Sequence, residues 1–560
     1  MDKQSEKQAA IEISQQVGLM KCLLLTVLVS VSFFGSHASA QSALSITGRV
    51  LASEGNFPIA NARVMARAVG MSGSTSTQMA TTNEEGDFQL TNLRRANYAI
   101  RIVTAGYIVE SSTTPATFYR PGENVTFRMI KGGVITGRVL NTHGEPMTLA
   151  RVRVVRVKDS EGHIVRDSNA TRDWITDDRG NYRIYGLEPG AYTVSAGPAN
   201  TFRSATTSAQ NSDTFTYFPS ATLDGATLVN VYAGDETRGI EIRYRIQSSY
   251  LVAGTVAGDA RASESSSSRA VISVMLSHVA TSVAVASTSV MPVGAKTAFS
   301  FNGVSDGVYE LTALTGLGTS DAAVSPPQRV TVSGANVTDV VLTLTPLSSV
   351  MGRVMLETTA TADACREASV PLPDEVLITA RRDKDKTALS SSPVVAQPDT
   401  HGEFSLTSMT AGRYSLDVRP PNRLWYVHNI AWTTQPKIPL NSLTLKQGEH
   451  LQGLTITLAR GAASVSGRVA AENAESLHVY VVPAQRENDV EALGYRESQV
   501  KADGTFSVAH LAPGRYWLLA RAPAEGDTAK TLKRAAEKAN LTVELQPCQQ
   551  LSNYVLKFTP

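Results

Sequence analysis

Two of the four tryptophans in this 560-residue chain fall in one short stretch, Leu424-Trp425-Tyr426-Val427-His428-Asn429-Ile430-Ala431-Trp432. Flat aromatic faces can stack on sugar rings, and polar neighbours such as Asn429 and His428 would fix a ligand's orientation. A second aromatic run, Phe215-Thr216-Tyr217-Phe218-Pro219, and a shorter one, Phe118-Tyr119, occupy comparable places earlier in the chain. Trp425, Tyr426, Trp432, Tyr217 and Phe218 are therefore the candidate ligand-binding residues. The competing reading, which we favour, is that these rings close a domain core or seal a contact between small domains, where aromatics are common. Trp174 and Trp517 lie on predicted strands and are expected in the core.

Other chemistry finds little support. His401-Gly402-Glu403 offers one imidazole and one carboxylate, too few for a metal. Asp177-Asp178 with Glu188, and Asp87 with Glu84 and Glu85, lack the ligand spacing of a calcium loop and read as solvated turns. Neither a nucleophile elbow nor a phosphate-binding loop nor a His-Glu-x-x-His zinc motif is present. No catalytic residue, metal or cofactor is expected. Lys+Arg 52 against Asp+Glu 50 leaves a net charge of +2, which supplies no basic footprint for nucleic acid.

The beginning of the sequence reads as an export signal. An apolar run from Cys22 to Gly35 follows Met20-Lys21, and Ala38-Ser39-Ala40 has the small-residue form of a cleavage site, placing the cut after Ala40. The run is too short to span a bilayer, so no membrane span is expected after cleavage. Translation from Met1 or from Met20 fits this reading equally. Cys365 and Cys548 then remain in an oxidising setting, where a pair is expected to be bridged, two free thiols being the alternative.

The elements that carry these residues repeat. Gly-x-Val occurs at Gly48, Gly137, Gly254, Gly352 and Gly467, with spacings of 89, 117, 98 and 115 residues. Each copy later shows an aromatic, an apolar residue five on and a tyrosine ten on: Phe88, Leu93, Tyr98; Tyr182, Leu187, Tyr192; Phe299, Val304, Tyr309; Phe404, Met409, Tyr414; Phe506, Leu511, Tyr516. Period-two alternation, as in Ile240-Glu-Ile242-Arg-Tyr244, indicates half-buried strands. Turn signals punctuate them, including Pro189-Gly190 and Pro513-Gly514, which read as type II turns. The aromatic and the apolar residue should face a core, and the tyrosine should form a corner with its hydroxyl on nearby backbone. Only residues 528–540 look helical, and residues 260–269 form a Ser-rich loop.

On Ile135-Thr-Gly-Arg-Val139 with Thr176-Asp-Asp-Arg-Gly-Asn-Tyr-Arg-Ile-Tyr-Gly-Leu-Glu-Pro-Gly-Ala-Tyr-Thr-Val194, and on Val465-Ser-Gly-Arg-Val469 with Gly504 to Tyr516, the chain resembles the carboxypeptidase regulatory-like domain. That family is a transthyretin-like β-sandwich, also grouped with carbohydrate-binding-like folds. The likeness is good in copies two, four and five, fair in one and weak in three. Metallocarboxypeptidases that carry such a domain have a separate catalytic domain with a His-x-x-Glu ligand pair, and none of the nine histidines here begins one.

The expected fold class is thus all-β, a tandem array of about five seven-stranded sandwiches after a signal peptide. The expected boundaries are 1–40, 41–131, 132–247, 248–346, 347–460 and 461–560. The expected function is an exported, non-enzymatic binding or adhesion protein whose partner is a glycan or an envelope or extracellular protein. A passive stalk or scaffold is the alternative.

Overall fold

The computed structural model describes residues 44–69, 77–109, 118–165, 171–197, 215–258, 271–292, 296–319, 321–357, 365, 371–383, 393–433, 443–471, 476–484, 496–501, 503–523 and 529–558. The export segment and the Ser-rich loop at 260–269 lie outside them.

Repeat 1 is built from β1 (Leu44–Ala52), β2 (Arg63–Ala68), β3 (Gln78–Thr81), β4 (Asp87–Leu93), β5 (Tyr98–Val103), β6 (Tyr107–Val109) and β7 (Asn124–Lys131). They form two sheets, ordered β4-β1-β7-β6 and β3-β2-β5. Repeat 2 adds β8 (Gly133–Leu140), β9 (Arg151–Lys158), β10 (Thr171–Ile175), β11 (Asn181–Leu187), β12 (Gly190–Gly197), β13 (Thr216–Tyr217), β14 (Val229–Val231) and β15 (Glu236–Arg243). Its sheets run β11-β8-β15 and β10-β9-β12-β13, with β14 also on β12. The plan recurs three more times, over strands from Tyr250, Ser348 and Ala463. Repeat 3, where the sequence likeness is weakest, keeps it in full around Phe299, Val304 and Tyr309. Repeats 2, 3 and 4 exceed seven strands because the long connection after the tyrosine strand contributes extra pieces, as β13 and β14 do in repeat 2.

One closure is common to all five copies. The first strand lies between an antiparallel neighbour and a parallel last strand. At the crossing sits the opening glycine. A Cβ there would lie 2.1 Å from the Val125 carbonyl oxygen at Gly48 and 1.8 Å from that of Ile240 at Gly137. At Gly254, Gly352 and Gly467 the carbonyls of Val340, Leu454 and Tyr554 stand 2.0, 2.2 and 1.8 Å away. In repeats 1 and 4 the landmark phenylalanine ring fills the same space, 2.7 Å from that position. Only hydrogen fits beneath a carbonyl and a ring together, which is why this position is glycine in every copy. In repeats 2 to 5 a bulge in the last strand delivers the carbonyl, through a left-handed residue just before it: Gly239, Asp339, Gly453 and Asn553.

The valine two residues on is tied to the Asp-Gly type turn. Val50, Val139 and Val354 donate their N–H to the carbonyls of Gly86, Gly180 and Gly402 at 2.8, 2.8 and 2.7 Å. The tyrosine corner is formed five times: Tyr98, Tyr192, Tyr309, Tyr414 and Tyr516 donate to the carbonyls of Arg94, Glu188, Ser305, Thr410 and Ala512 at 3.3, 2.7, 2.9, 2.9 and 2.7 Å. The Pro-Gly pairs are not type II turns. Gly190 and Gly514 have φ of 149° and 145°, far from the roughly +80° of that turn, because the glycine already belongs to the tyrosine strand. The helix α1 (Ala529–Ala539) lays Leu532 and Ala536 on the outer face of the last sandwich, against Tyr480, Val482 and Leu519.

Gly467→Ala should therefore drive a methyl group into the Tyr554 carbonyl and cost roughly 1–3 kcal/mol or more of repeat 5 stability. Chemical denaturation of the variant checks this; an unchanged midpoint would refute the closure as a packing constraint.

Candidate functional site

The aromatic candidates of the sequence reading go mostly to cores and seams. Trp425 is 1% exposed and Trp432 7% exposed, both within the repeat 4 core with Phe404, Tyr414 and Ile456. They alternate with Tyr426 and His428 on one strand, which pairs with the strand His450–Arg460. Neither indole presents a face to a ligand, so stacking by Trp425 and Trp432 is corrected to core packing. Tyr426 is half-buried, edge-on to His428 at 6.1 Å. Phe218 packs on the repeat 2 core. Tyr217 joins the apolar seam between repeats 2 and 3 with Val157, Leu223 and Val283.

The seams are polar as well as apolar. Between repeats 2 and 3 the buried His278 donates from Nε2 to Asp224 at 2.6 Å. Between repeats 4 and 5, His510 donates from Nδ1 to the Trp425 carbonyl at 2.9 Å. Burial pushes the His510 imidazole below its ordinary pKa, with the Trp425 carbonyl pulling the other way. Cys365 and Cys548 form a disulfide with Cα atoms 5.7 Å apart, joining a segment after the first strand of repeat 4 to the turn before the last strand of repeat 5.

A further contact skips along the chain. Arg120 of repeat 1 donates to the backbone carbonyls of Pro421 and, at 3.1 Å, Glu375 in repeat 4. Arg419 of repeat 4 returns to the Phe118 carbonyl and, at 3.0 Å, to Glu123 of repeat 1. Desolvation, then the neighbouring Arg419 charge, lowers the Arg120 pKa to about 10 against the pull of Glu123 and Glu375. Backbone carbonyls left by irregular loops are what the guanidinium forks satisfy here.

Three of the acidic groups considered for calcium, Asp177, Asp87 and Glu188, are engaged by other partners. Asp177 accepts backbone N–H bonds from Arg179 and Asn181 at 2.9 and 2.7 Å, an Asx-type turn that depresses its pKa. Asp87 pairs with Arg49 at 2.5 Å, and Glu188 pairs with Arg156. Asp159, Glu161 and His163 cluster on an exposed turn, but Asp159 Oδ1 there receives the backbone of Glu161 and His163.

Trp174 is the residue the sequence reading misplaced. It is 41% exposed, with its ring edge-on to Tyr185 at 5.6 Å, itself 40% exposed. The strand assignment is right, since Trp174 pairs with the buried Val152 across β9 and β10. However, β10 is the sheet's outermost strand, so a side chain in inward phase meets the open side of the sandwich instead of its core. Beside it runs a groove of about 710 Å³ over β8, β11 and β15. Below it, Asp173 is clamped by Arg151 and by Arg153 at 2.9 Å, and these bonds hold its pKa down despite the upward push of burial.

The two-sheet closure, the tyrosine corner and the Gly-x-Val crossing define a class of small β-sandwich repeats. The carboxypeptidase regulatory-like domain family matches residues 45–129 and 134–223, and the chain carries these domains in tandem. Repeats 3 to 5 continue the same topology beyond the matched span. No curated protein sequence matches the chain. Among solved structures it is similar to the minor pilin GBS52 of Streptococcus agalactiae, at 15% identity and a TM-score of 0.20 over 37% of this chain and 98% of that one. It is also similar to the TIE protein of Bacillus anthracis, at 12% identity and a TM-score of 0.15 over 75% of this chain and 76% of the other. The shaft pilin SpaA of Lactobacillus rhamnosus GG follows at 13% identity and a TM-score of 0.17 over 37% and 100%. At such values these likenesses carry no argument about function. Among the described residues no helix is long and apolar enough to cross a membrane.

Trp425→Ala should cost roughly 3–5 kcal/mol in chemical denaturation, the loss of a fully buried indole. For His510 the folded pKa lies below the unfolded value, so the unfolded chain takes up the proton first. Stability of the repeat 4–5 pair should therefore fall as pH drops through about 6.5, the ordinary histidine value. Asn92 holds the equivalent left-handed position in repeat 1, so His510→Asn should fold and flatten that acid limb in thermal melts across pH 5 to 8.

Proposed function

We propose that the chain is an exported, non-enzymatic, multidomain binding protein whose sandwiches are locked together as a platform that presents a ligand-binding surface outside the cell. The observation that carries this reading is the set of seam contacts. A disulfide joins repeats 4 and 5, a bond from the buried His278 to the exposed Asp224 joins repeats 2 and 3, and reciprocal arginines join repeats 1 and 4. The bridge fits an oxidising compartment, as does the export signal read from the sequence. The arginine contact weighs against a passive stalk, because an extended array brings together only neighbouring repeats. Asp177 is taken up by a turn and Asp87 and Glu188 by ion pairs, which favours binding over bond-breaking as the role of the surface.

A pull-down from envelope and culture-medium fractions, with the disulfide-intact chain as bait, tests the function. Saturable retention of one glycan or protein species is expected, and hydrolysis of peptides or glycans by the purified chain would overturn the reading. Arg120→Ala should release repeat 1 from repeat 4. Hydrogen exchange should then speed up at residues 118–123 and 419–422 while the sandwich cores keep their protection; unchanged exchange there would show that the arginines do not fasten the seam.

A further inference from the structure

The repeats provide an internal control on what the fold requires at each position. Register places Trp174 opposite Val152, and the same station in repeats 1, 4 and 5 is Ala80 opposite Val64, Ala396 opposite Ile378 and Ser498 opposite Val479. Tyr185, three residues after the landmark aromatic, corresponds to Thr91, Thr407 and Ala509. Three sandwiches thus fold with small side chains at both places. The exposed aromatic pair of repeat 2 has no counterpart in them, and two half-bare rings on a surface are not explained by the fold.

The groove beside the pair differs in the same sense. In repeat 1 the equivalent groove is crossed by the Arg49–Asp87 ion pair, with bonds of 2.5 and 2.9 Å. In repeat 2 the carboxylate becomes Asn181, whose amide bonds Asp177 at 3.2 Å, and Arg138 keeps a bond at 3.3 Å to the Arg179 carbonyl. Arg138 is exposed along the groove, with Asn181, Arg183 and Glu241 lining the rest. The lining offers both donors and acceptors, and its charges cancel, Arg138 and Arg183 against Asp177 and Glu241.

From these residues we infer that the repeat 2 groove is a binding site for a neutral glycan chain, with Trp174 and Tyr185 as the stacking platform. A pyranose has an apolar C–H face for the indole and a rim of hydroxyls that takes donors and acceptors alternately. Balanced charge gives no advantage to a polyanion or polycation. A peptide added as a strand to β10 is disfavoured by the charged Arg172-Asp173 on that five-residue edge. The inference rests on the proposed binding function and assigns its ligand class and place.

The test is titration of the full chain with neutral hexose and N-acetylhexosamine oligosaccharides, read by calorimetry and tryptophan fluorescence. Trp425 and Trp432 are buried, so a ligand-induced emission shift should come from Trp174 and vanish in Trp174→Phe. Trp174→Ala should weaken binding at least tenfold with little change in melting temperature, Tyr185→Ala should weaken it severalfold, and Trp517→Phe should bind like the parent. Undiminished glycan binding by Trp174→Ala would overturn the site while leaving the binding function standing. Absence of neutral-glycan binding by the parent chain would overturn the ligand class, as would a captured protein lost in Trp174→Ala. A large drop in melting temperature for both Trp174→Ala and Tyr185→Ala, with binding retained by the folded fraction, would make the pair an edge plug and overturn the proposal.

Discussion

Each sandwich depends on the meeting of a glycine and a carbonyl. The first strand and the last are far apart in sequence yet run side by side in parallel, and they can approach only where no side chain stands between them. Once they meet, the landmark aromatic closes over the same spot, in repeat 2 with the Tyr182 hydroxyl donating to the Ile240 carbonyl at 2.7 Å. Burial pushes the Tyr182 phenol well above its usual range, so it stays a donor at any physiological pH. The core residues that follow, such as Ile135, Ile184 and Ile242, then lie at fixed depth between the sheets.

The features that were legible in the sequence are those set by local geometry. The glycine, the aromatic and the tyrosine are constrained by atoms within their own repeat; the aromatic, the apolar residue and the tyrosine keep fixed offsets that announce the strands, while loops of varying length separate them from the glycine. The left-handed residue before Leu93, Leu187, Val304, Met409 and Leu511 recurs as well, but as Asn92, Gly186, Gly303, Ser408 and His510. A backbone conformation that four residue types satisfy across five copies leaves no common letter to read.

The contacts between repeats were hidden for a different reason. Arg120 and Arg419 take backbone carbonyls as partners, and a carbonyl has no identity in the sequence. Period two correctly put Trp174 in phase with the core, but it does not distinguish a central strand from an outer one. Trp425 and Trp432, seven residues apart, fall in opposite phases of a period-two strand, and the bulge between Val427 and Asn429 turns both inward although their strand too is outermost in its sheet.

The bridge between Cys365 and Cys548 has a mechanical meaning. Tension entering beyond Cys548 crosses directly to Cys365, so the intervening chain, 183 residues by sequence separation, carries no load. The force then leaves through the strand Ser348–Glu357, whose parallel partner His450–Arg460 lies inside the shielded loop. Pulling draws on a strand that is already extended, and the ladder to its shielded partner is not sheared. The fourth and fifth sandwiches therefore resist extension as a single knot, and the compliance of the chain under traction resides in the repeats that precede them.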